Sequence, residues 1–479
     1  MKLAAVILAA GIGIRMKSAM PKVLHRVLGR PMLGYVLDAV SGLSPERSVV
    51  VVGHGAEDIK EVFGKKGISY AYQKEQLGTG HAANCARSEL AKFKGTVLII
   101  NGDFPLVTSK SLKKFLRTHQ NSGSELSVLT ANVDDPSGYG RVVRDSNGDV
   151  DRIVEEKDAA PEQRRISEIN SGTYLVDSTV LWPLLKALKT KNKQGEYYLT
   201  DILEIARRRS LKVTGIVVPD SSEVLGVNDR AQLSQIEHIM KTSVNGGLMK
   251  SGVTIIDPDA TYISPDARIG RDSFIYPGTH IYGRTNIGRN STIGPHVWIE
   301  DAEIGSGVTV KASCYITNAS IGDEVTVGPF AHLRPDARIM RRAKIGNFVE
   351  IKKSTVGTGS KVPHLSYVGD AVLGKGVNIG AGTITCNYDG FNKHETLVSD
   401  DVFIGSDTML VAPVKVGRGA VTGAGSTITK DVPEGALAIS RARQTVIENW
   451  KKRPREGADK RKAGDKYKKQ GPKTKGRKK

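Results

Sequence analysis

Cysteine is scarce: three in 479 residues, widely spaced and odd in number, which leaves no disulfide framework and no paired zinc-ligand spacing. That usage fits a reducing compartment. Aromatic residues make up only 5%, so any core must rest on aliphatic side chains. No apolar run approaches the length of a membrane span. The opening apolar stretch could start a secretory leader, but it ends in a Gly-rich loop followed by Arg15, Lys17 and Lys22, and it reads as a buried strand. A cytoplasmic protein is therefore expected. Carboxylates are outnumbered, 50 against 70 Lys and Arg, for a formal charge of +20. The excess is uneven, because residues 451–479 alone hold 15 basic and 3 acidic side chains. The body is only mildly basic, so nucleic acid is not expected as a partner apart from weak binding by the tail. That tail has no apolar period and is expected to be disordered, whether merely solvated or drawn to anionic lipid or to CoA phosphates.

What the chain does have is length enough for two or three domains, and abundant glycine. Its first half alternates short apolar runs with helical patterns. Residues 3–10, 48–52, 68–72 and 96–101 read as strands, and those near 32–41, 56–63, 79–90 and 111–118 as helices. Such alternation implies a largely parallel sheet covered on both faces. A hairpin is expected over 141–156, turning at Asn147-Gly148. The expected division is an α/β domain at 1–228, a linker helix at 229–250, a second domain at 251–450 and the tail.

The second half has a period of six. Ile263, Ile269, Ile275, Ile281, Ile287, Ile293 and Ile299 follow one another without a miss, a pattern with chance odds on the order of one in 10⁵. After slips of one residue the period resumes at Ile304, Ile321, Val356 and Leu373, and a last run starts at Val398. Six residues fit neither a helix nor a simple strand. They fit a β-solenoid in which each hexapeptide forms one flat side and points one aliphatic inward. Gly often follows that aliphatic and is expected to ease the corner backbone. Handedness does not follow from the period. The stretch between Thr383 and Thr396 interrupts it and reads as a loop that builds a site.

Several motifs carry chemistry. Leu8-Ala-Ala-Gly11-Ile-Gly13-Ile-Arg15-Met16 follows the first strand, with Pro21-Lys22 beyond. A Gly-rich turn at a parallel strand's end lets backbone N–H groups approach phosphates, and Arg15 and Lys22 can neutralise them. Met16 stands where a dinucleotide fingerprint would have its third Gly, and a plain structural turn is the alternative. Asp103, ending a buried strand, suits Mg²⁺ or a turn. Gln76-Leu-Gly78-Thr79-Gly80-His81 is a second small-residue loop opening a helix. Late in the solenoid Arg334, Glu350, Lys352, His364, Tyr367, Asn378, Asn387 and Tyr388 are polar residues that a pure core would not explain. Five histidines lie in the second half, and composition cannot choose among them.

LAAGxGxRM followed by PK resembles the nucleoside-diphosphate-sugar pyrophosphorylases, and the match extends through QLGTGHA, GYGRV, IVEEKDA, EINSGTY, QGEYYLTD and EVLGVND. With the hexapeptide half included, residues 1 to about 450 resemble the family of bifunctional N-acetylglucosamine-1-phosphate uridylyltransferases and glucosamine-1-phosphate acetyltransferases. The resemblance implies an α/β, Rossmann-like nucleotidyltransferase domain with a mostly parallel sheet, then a left-handed parallel β-helix of hexapeptide repeats. It implies acetylation of glucosamine-1-phosphate by acetyl-CoA, then transfer of UMP from UTP to N-acetylglucosamine-1-phosphate with Mg²⁺, in a homotrimer whose acetyl sites are shared between subunits. Leu8, Ala9, Ala10 and Gly11 would hold the nucleotide, Gln73, Gly78 and Thr79 would read uracil, and Asn101 and Gly102 belong to the same site. Arg15 and Lys22 would bind phosphates, Asp103 and Asn228 coordinate Mg²⁺, and Gly140, Glu155 and Asn170 contact the sugar. Ile12 and Ile14 depart from the polar residues usual there, so the contacts of that loop are expected from its backbone.

In the second half the resemblance selects His364 as general base, since a neutral imidazole can accept the proton of an attacking amine. Arg334 and Lys352 would bind the sugar's phosphate, and Tyr367 and Asn378 the sugar. Ala381, Asn387, Tyr388, Ser406, Ala424 and Arg441 would contact acetyl-CoA. Cys386 as an acetyl-carrying nucleophile is an alternative that direct transfer does not need. Three rival readings remain: a nucleotidyltransferase whose solenoid only assembles it, a zinc-dependent hydratase or plain scaffold, and a non-catalytic assembly factor of translation.

Overall fold

The computed structural model describes residues 2–64 and 67–451; the expectation of a disordered tail falls, but for Lys451, outside them. The strand Leu3–Ala9 is buried along its whole length, because the run offers no polar side chain to either face. Ala4, Val6 and Leu8 enter one hydrophobic cluster, and Leu3, Ala5, Ile7 and Ala9 enter another on the opposite side. Only a central strand with both faces covered can hold such a sequence. Helix Met32–Ser41 packs one side through Leu33 and Val36; helix Asp201–Arg208 packs the other through Ile202 and Leu203.

The sheet runs Val213–Val217, Leu126–Asn132, Glu168–Asp177, Thr96–Asn101, Leu3–Ala9, Arg47–Val52, Ser69–Tyr72. Every neighbouring pair is parallel except those of Glu168–Asp177, which is antiparallel to both its partners. Leu8 stands opposite Val51 on one side and Asn101 on the other, so the loops after these strands open side by side. That row of strand ends is where α/β sheets bind ligands. The hairpin Arg141–Arg144 and Val150–Val154 extends from it. The helix expected over 79–90 ends at Cys85, and the chain reaches Leu90 through tight turns. Asn84 and Cys85 are poor helix formers, which suits that stop.

Helix Arg230–Lys250, capped by the Asp229 side chain on Gln232 N, leads into the solenoid. There the strands form three parallel sheets of 11, 10 and 9, each strand pairing with the third one on until the end, where Val421–Thr422 pairs with Leu437–Ala438. This is the arrangement of a hexapeptide β-helix. The residues in the six-residue period form one core from Ile255 to Ile428, where each fully buried Ile contributes roughly 1.5–3 kcal/mol.

The slips before Ile304, Ile321, Val356 and Leu373 all fall at one corner, between the second and third faces. Asp301, Asn318, Lys353 and Asp370 close those shortened corners with φ of 49°, 47°, 45° and 47°. The interruption leaves from the same corner, and it starts later than the sequence suggests. Ile384–Cys386 is still a strand, with Thr385 buried in the inward position and its hydroxyl donating to Gly369 O at 3.0 Å, so the loop proper is 387–395. The glycines after the inward aliphatics also differ from expectation. Most of them have no positive φ; they are glycine because the next coil leaves no room, a Cβ on Gly346 falling 1.7 Å from Pro363 O. Among the described residues no helix is long and apolar enough to cross a membrane.

Candidate functional sites

The first site lies at the row of strand ends. After Leu3–Ala9 the chain turns through Gly11 and Gly13, the latter at φ 66°, into the short 3-10 turn Ile14–Met16. Gly13 passes directly over Lys22, whose Cβ would stand 2.8 Å from any Cβ added there. Met16 is buried and fixes the turn, leaving Arg15 exposed. The Arg15 guanidinium donates to Asn228 Oδ1 at 2.8 Å, and the Lys22 ammonium lies 3.5 Å from the same oxygen. Lys22 also pairs with the Asp103 carboxylate. Arg15, Lys22, Asp103 and Asn228 are thus brought together from distant segments.

Among the described residues no group of three or more His, Cys, Asp or Glu could hold a metal. The cluster instead offers one carboxylate and one amide oxygen. That donor set fits Mg²⁺, which keeps several waters and takes the rest of its ligands from phosphates. It does not fit zinc, whose sites are built from His, Cys and carboxylate groups.

Leu8, Ala9 and Ala10 are buried, and Gly102 N donates to Leu8 O at 2.8 Å, which ties Gly102 to the first strand's end. Asn101 faces Gly172, at φ 70°, where a Cβ would lie 2.3 Å from the Asn101 amide nitrogen. Gln73 is buried and spends its amide on Gly78 O at 3.2 Å, 3.1 Å from His81 Nδ1. Thr79 accepts from Leu199 N at 3.0 Å. Further along, Gly140 O accepts from Asn170 N at 2.8 Å, and Asn170 Oδ1 accepts from the Tyr174 hydroxyl at 3.1 Å. Thr200, within QGEYYLTD but given no role there, donates to Glu155 at 3.1 Å. Burial pushes the Glu155 carboxyl up from its ordinary range, and Asp201, Asp158 and Glu196 add to that. Asp201 itself is pushed up to about 6 by burial, with Glu204 and Asp158 repelling its charge.

The second site lies on the solenoid. His364 ends the strand Lys361–His364 and pairs in register with Asn347 on the coil before. Their side chains meet at 2.6 Å between His364 Nδ1 and Asn347 Oδ1. A carboxamide oxygen only accepts, so this contact calls for a proton on Nδ1, and in the neutral ring Nε2 is then the nitrogen with the free lone pair. Asn347 has no motif of its own, and only the register reveals it. On the adjoining face Glu350 stands opposite Tyr367, and Arg334 donates to Glu350 at 2.8 Å. Lys352, one coil above Arg334 on the same side, meets Lys393 from the loop 387–395. The neighbouring Lys393 ammonium pulls the Lys352 pKa below its ordinary value, with Arg334 adding to it.

That loop is tied down at both ends. Asn387 donates to Asp370 at 2.5 Å, and His394 Nε2 lies 2.7 Å from Asp389. Hydrogen bonds to Asp389 from the Asn392 backbone, His394 and the Phe391 backbone hold its carboxyl well below the carboxylate range. Tyr388 is exposed, its hydroxyl on Gly390 O at 2.6 Å. Asn378 pairs in register with Lys361. Ala381, Ser406 and Ala424 occupy the same corner on successive coils above His364, and Arg441 donates to Ala424 O at 2.8 Å. Burial raises the Cys386 thiol, which makes it a poor nucleophile.

Two family models match different parts of the chain. Residues 4–221 match the model described as nucleotidyl transferase, and residues 266–301 and 318–353 match bacterial transferase hexapeptide (six repeats). A protein of Caldanaerobacter subterraneus subsp. tengcongensis called "Bifunctional protein GlmU" is 52% identical over 449 residues, 94% of this chain and 97% of its own. Proteins of the same name from an Exiguobacterium species and from Heliobacterium modesticaldum are 51% and 50% identical, over 94% and 95% of this chain and 99% of each relative.

Proposed function

The chain belongs to the family of bifunctional GlmU proteins, and from that premise we propose that it makes UDP-N-acetylglucosamine on one polypeptide in two steps. It is an enzyme with a nucleotidyltransferase half and a hexapeptide-type acetyltransferase half. The solenoid acetylates glucosamine-1-phosphate with acetyl-CoA, and the α/β half then joins the product to UMP from UTP. The observation that carries this reading is the presence of two separate sites in one chain: the Arg15–Lys22–Asp103–Asn228 cluster, and the His364–Asn347 pair beside Arg334 and Lys352.

In the first step His364 Nε2 takes a proton from the sugar's amine as its nitrogen attacks the thioester carbonyl. The C–S bond breaks and the proton passes to the departing CoA sulfur. Arg334 and Lys352, with Lys393, hold the sugar's phosphate and so orient the amine. Acetyl-CoA follows the corner from His364 past Ala381 and Ser406 to Ala424, with Asn378, Asn387, Tyr388 and Arg441 alongside. Three coil spacings make that run roughly 14 Å, the scale of an extended pantetheine arm.

In the second step the sugar-phosphate oxygen attacks the α-phosphate of UTP in line and pyrophosphate leaves. No protein nucleophile is needed, so catalysis is positioning and charge neutralisation. Mg²⁺ held by Asp103 and Asn228 would supply part of that neutralisation. Lys22 and Arg15 supply the rest. Leu8, Ala9, Ala10, Gly11, Asn101 and Gly102 shape the nucleotide's cradle, Gln73, Gly78 and Thr79 read the base, and Gly140, Glu155 and Asn170 hold the sugar.

The acetyl site adjoins a column of exposed apolar residues, Phe330, Phe348 and Leu365, with the two rings stacked at 5.3 Å. A second and third copy covering this column as a homotrimer would place each acetyl site at a subunit boundary. Sedimentation of a stable monomer with full acetyl activity contradicts that assembly. The working compartment is the cytoplasm. The two-site reading is tested by Asp103→Asn, which abolishes uridylyl transfer and leaves acetyl transfer intact; loss of both in a folded variant contradicts separate sites.

A further inference from the structure

The first turn of the helix Arg230–Lys250 makes contacts that the reaction outlined above does not use. Asp229 caps it by accepting from Gln232 N at 2.9 Å. In an ordinary capping box the residue at Gln232's position would return the bond to the N–H of the cap itself. Here Gln232 Oε1 accepts instead from Asn228 N at 2.7 Å, one residue further out. Arg230, next along, donates from Nε to Met16 O at 3.2 Å, and Val227 N donates to Asp103 O at 3.2 Å. Met16 is buried against Ile236 and Met240 of the same helix. The helix start therefore holds the backbone of Asn228 and the end of the phosphate loop, while Val227, just before it, holds the Asp103 carbonyl.

We infer that Gln232 is a positioning residue for uridylyl transfer: it fixes the backbone of Asn228 so that the amide oxygen of Asn228 points at the metal position beside Asp103. The inference rests on the reading of Asn228 as a Mg²⁺ ligand. The physical reason is freedom of rotation. Asn228 lies between a loop and a helix, and its Oδ1 must turn from Arg15 and Lys22 toward a bound cation without the backbone following. A neutral acceptor on Asn228 N holds that backbone and adds no charge near the metal. Outer partners of this kind typically change metal affinity or activity by about 10–100-fold.

The test uses the full-length protein with Asn228→Ala, Gln232→Leu and Gln232→Glu. Mn²⁺ affinity in the presence of UTP is read by electron paramagnetic resonance, with uridylyl kcat and KM alongside and the acetyl rate as the control for folding. Glu keeps an acceptor oxygen at the same reach and Leu does not. The expected result is metal affinity about tenfold weaker in Gln232→Leu, restored to within about threefold in Gln232→Glu, with acetyl transfer unchanged in both. Equal losses in the Leu and Glu variants mean that the helix start is merely structural and overturn the inference. So does unchanged metal affinity in Gln232→Leu when Asn228→Ala has lost it. Unchanged affinity in Asn228→Ala overturns the underlying reading of Asn228 instead, and the inference with it.

Discussion

Removing the amide of Asn347 tests the acetyl step where it is most exposed to error. The 2.6 Å bond to His364 Nδ1 does two things: it keeps the proton on Nδ1 and it holds the ring's direction. In Asn347→Ala nothing holds the proton on Nδ1, and the tautomer with the proton on Nε2 presents an N–H where the amine needs a lone pair. A hydrogen bond of this kind contributes about 1–1.5 kcal/mol, and about 1.4 kcal/mol is tenfold in rate. The expected acetyl kcat is therefore about 5–15-fold lower, with KM for acetyl-CoA little changed. His364→Ala removes the base altogether and costs about 10²–10⁴-fold. Because Asn347 acts only through His364, the double variant should be no slower than His364→Ala alone. Asn347→Asp keeps an acceptor and should recover most of the rate. Steady-state acetylation of glucosamine-1-phosphate reads all four, with uridylyl transfer as an internal control. A wild-type kcat in Asn347→Ala, or a double variant whose losses multiply, refutes the role given to this pair.

Lys393→Ala removes the ammonium that lowers the Lys352 pKa, so Lys352 stays charged to higher pH and the alkaline limb of kcat/KM for glucosamine-1-phosphate moves up. A pH profile with an unmoved limb contradicts that pairing. Asp201 has its folded pKa raised to about 6, above its ordinary carboxylate value, so the folded state binds the proton more tightly than the unfolded one. Its contribution to stability therefore falls as pH rises from about 4 through about 6. Thermal melts should show Asp201→Asn stabilised relative to the parent at pH 7 and less so at pH 4.5; the reverse order contradicts the sign. Ile316→Ala, at a fully buried position between Ile299 and Leu333 on adjacent coils, should cost about 2–5 kcal/mol in urea unfolding of the solenoid. A loss under about 1 kcal/mol would mean that the inward column is not tightly packed.

How much of this was legible in the sequence depends on whether local pattern or remote pairing sets a feature. Helix Met32–Ser41 and strand Thr96–Asn101 stand where the apolar periods place them, because each buries a face its own residues define. The inward aliphatics of the solenoid were readable for the same reason. The slips were visible too, but not that they share one corner, since this needs the three faces assembled. Glu168–Asp177 carries Asn, Ser and Gly amid its apolar residues, and only its place between two other strands makes it one. The reason for the solenoid glycines was misjudged because a neighbouring coil leaves no mark on the dihedral pattern of its own residue. At the sites, charged groups in motifs such as Arg15, Lys22 and Asp103 could be picked out. Asn347, Lys393 and Gln232 could not, nor could the role of Thr200 within QGEYYLTD, as each gains meaning only from a partner 17 to 45 residues away or from an unusual cap.

The most direct test of two sites working in series is one incubation of the purified chain. Glucosamine-1-phosphate, acetyl-CoA, UTP and Mg²⁺ are supplied together, and UDP-sugars, free CoA and pyrophosphate are quantified over time. UDP-N-acetylglucosamine forming in step with equal amounts of CoA and pyrophosphate, and vanishing when acetyl-CoA is left out, is the predicted result. Free CoA without any UDP-sugar, or pyrophosphate release that ignores acetyl-CoA, contradicts it.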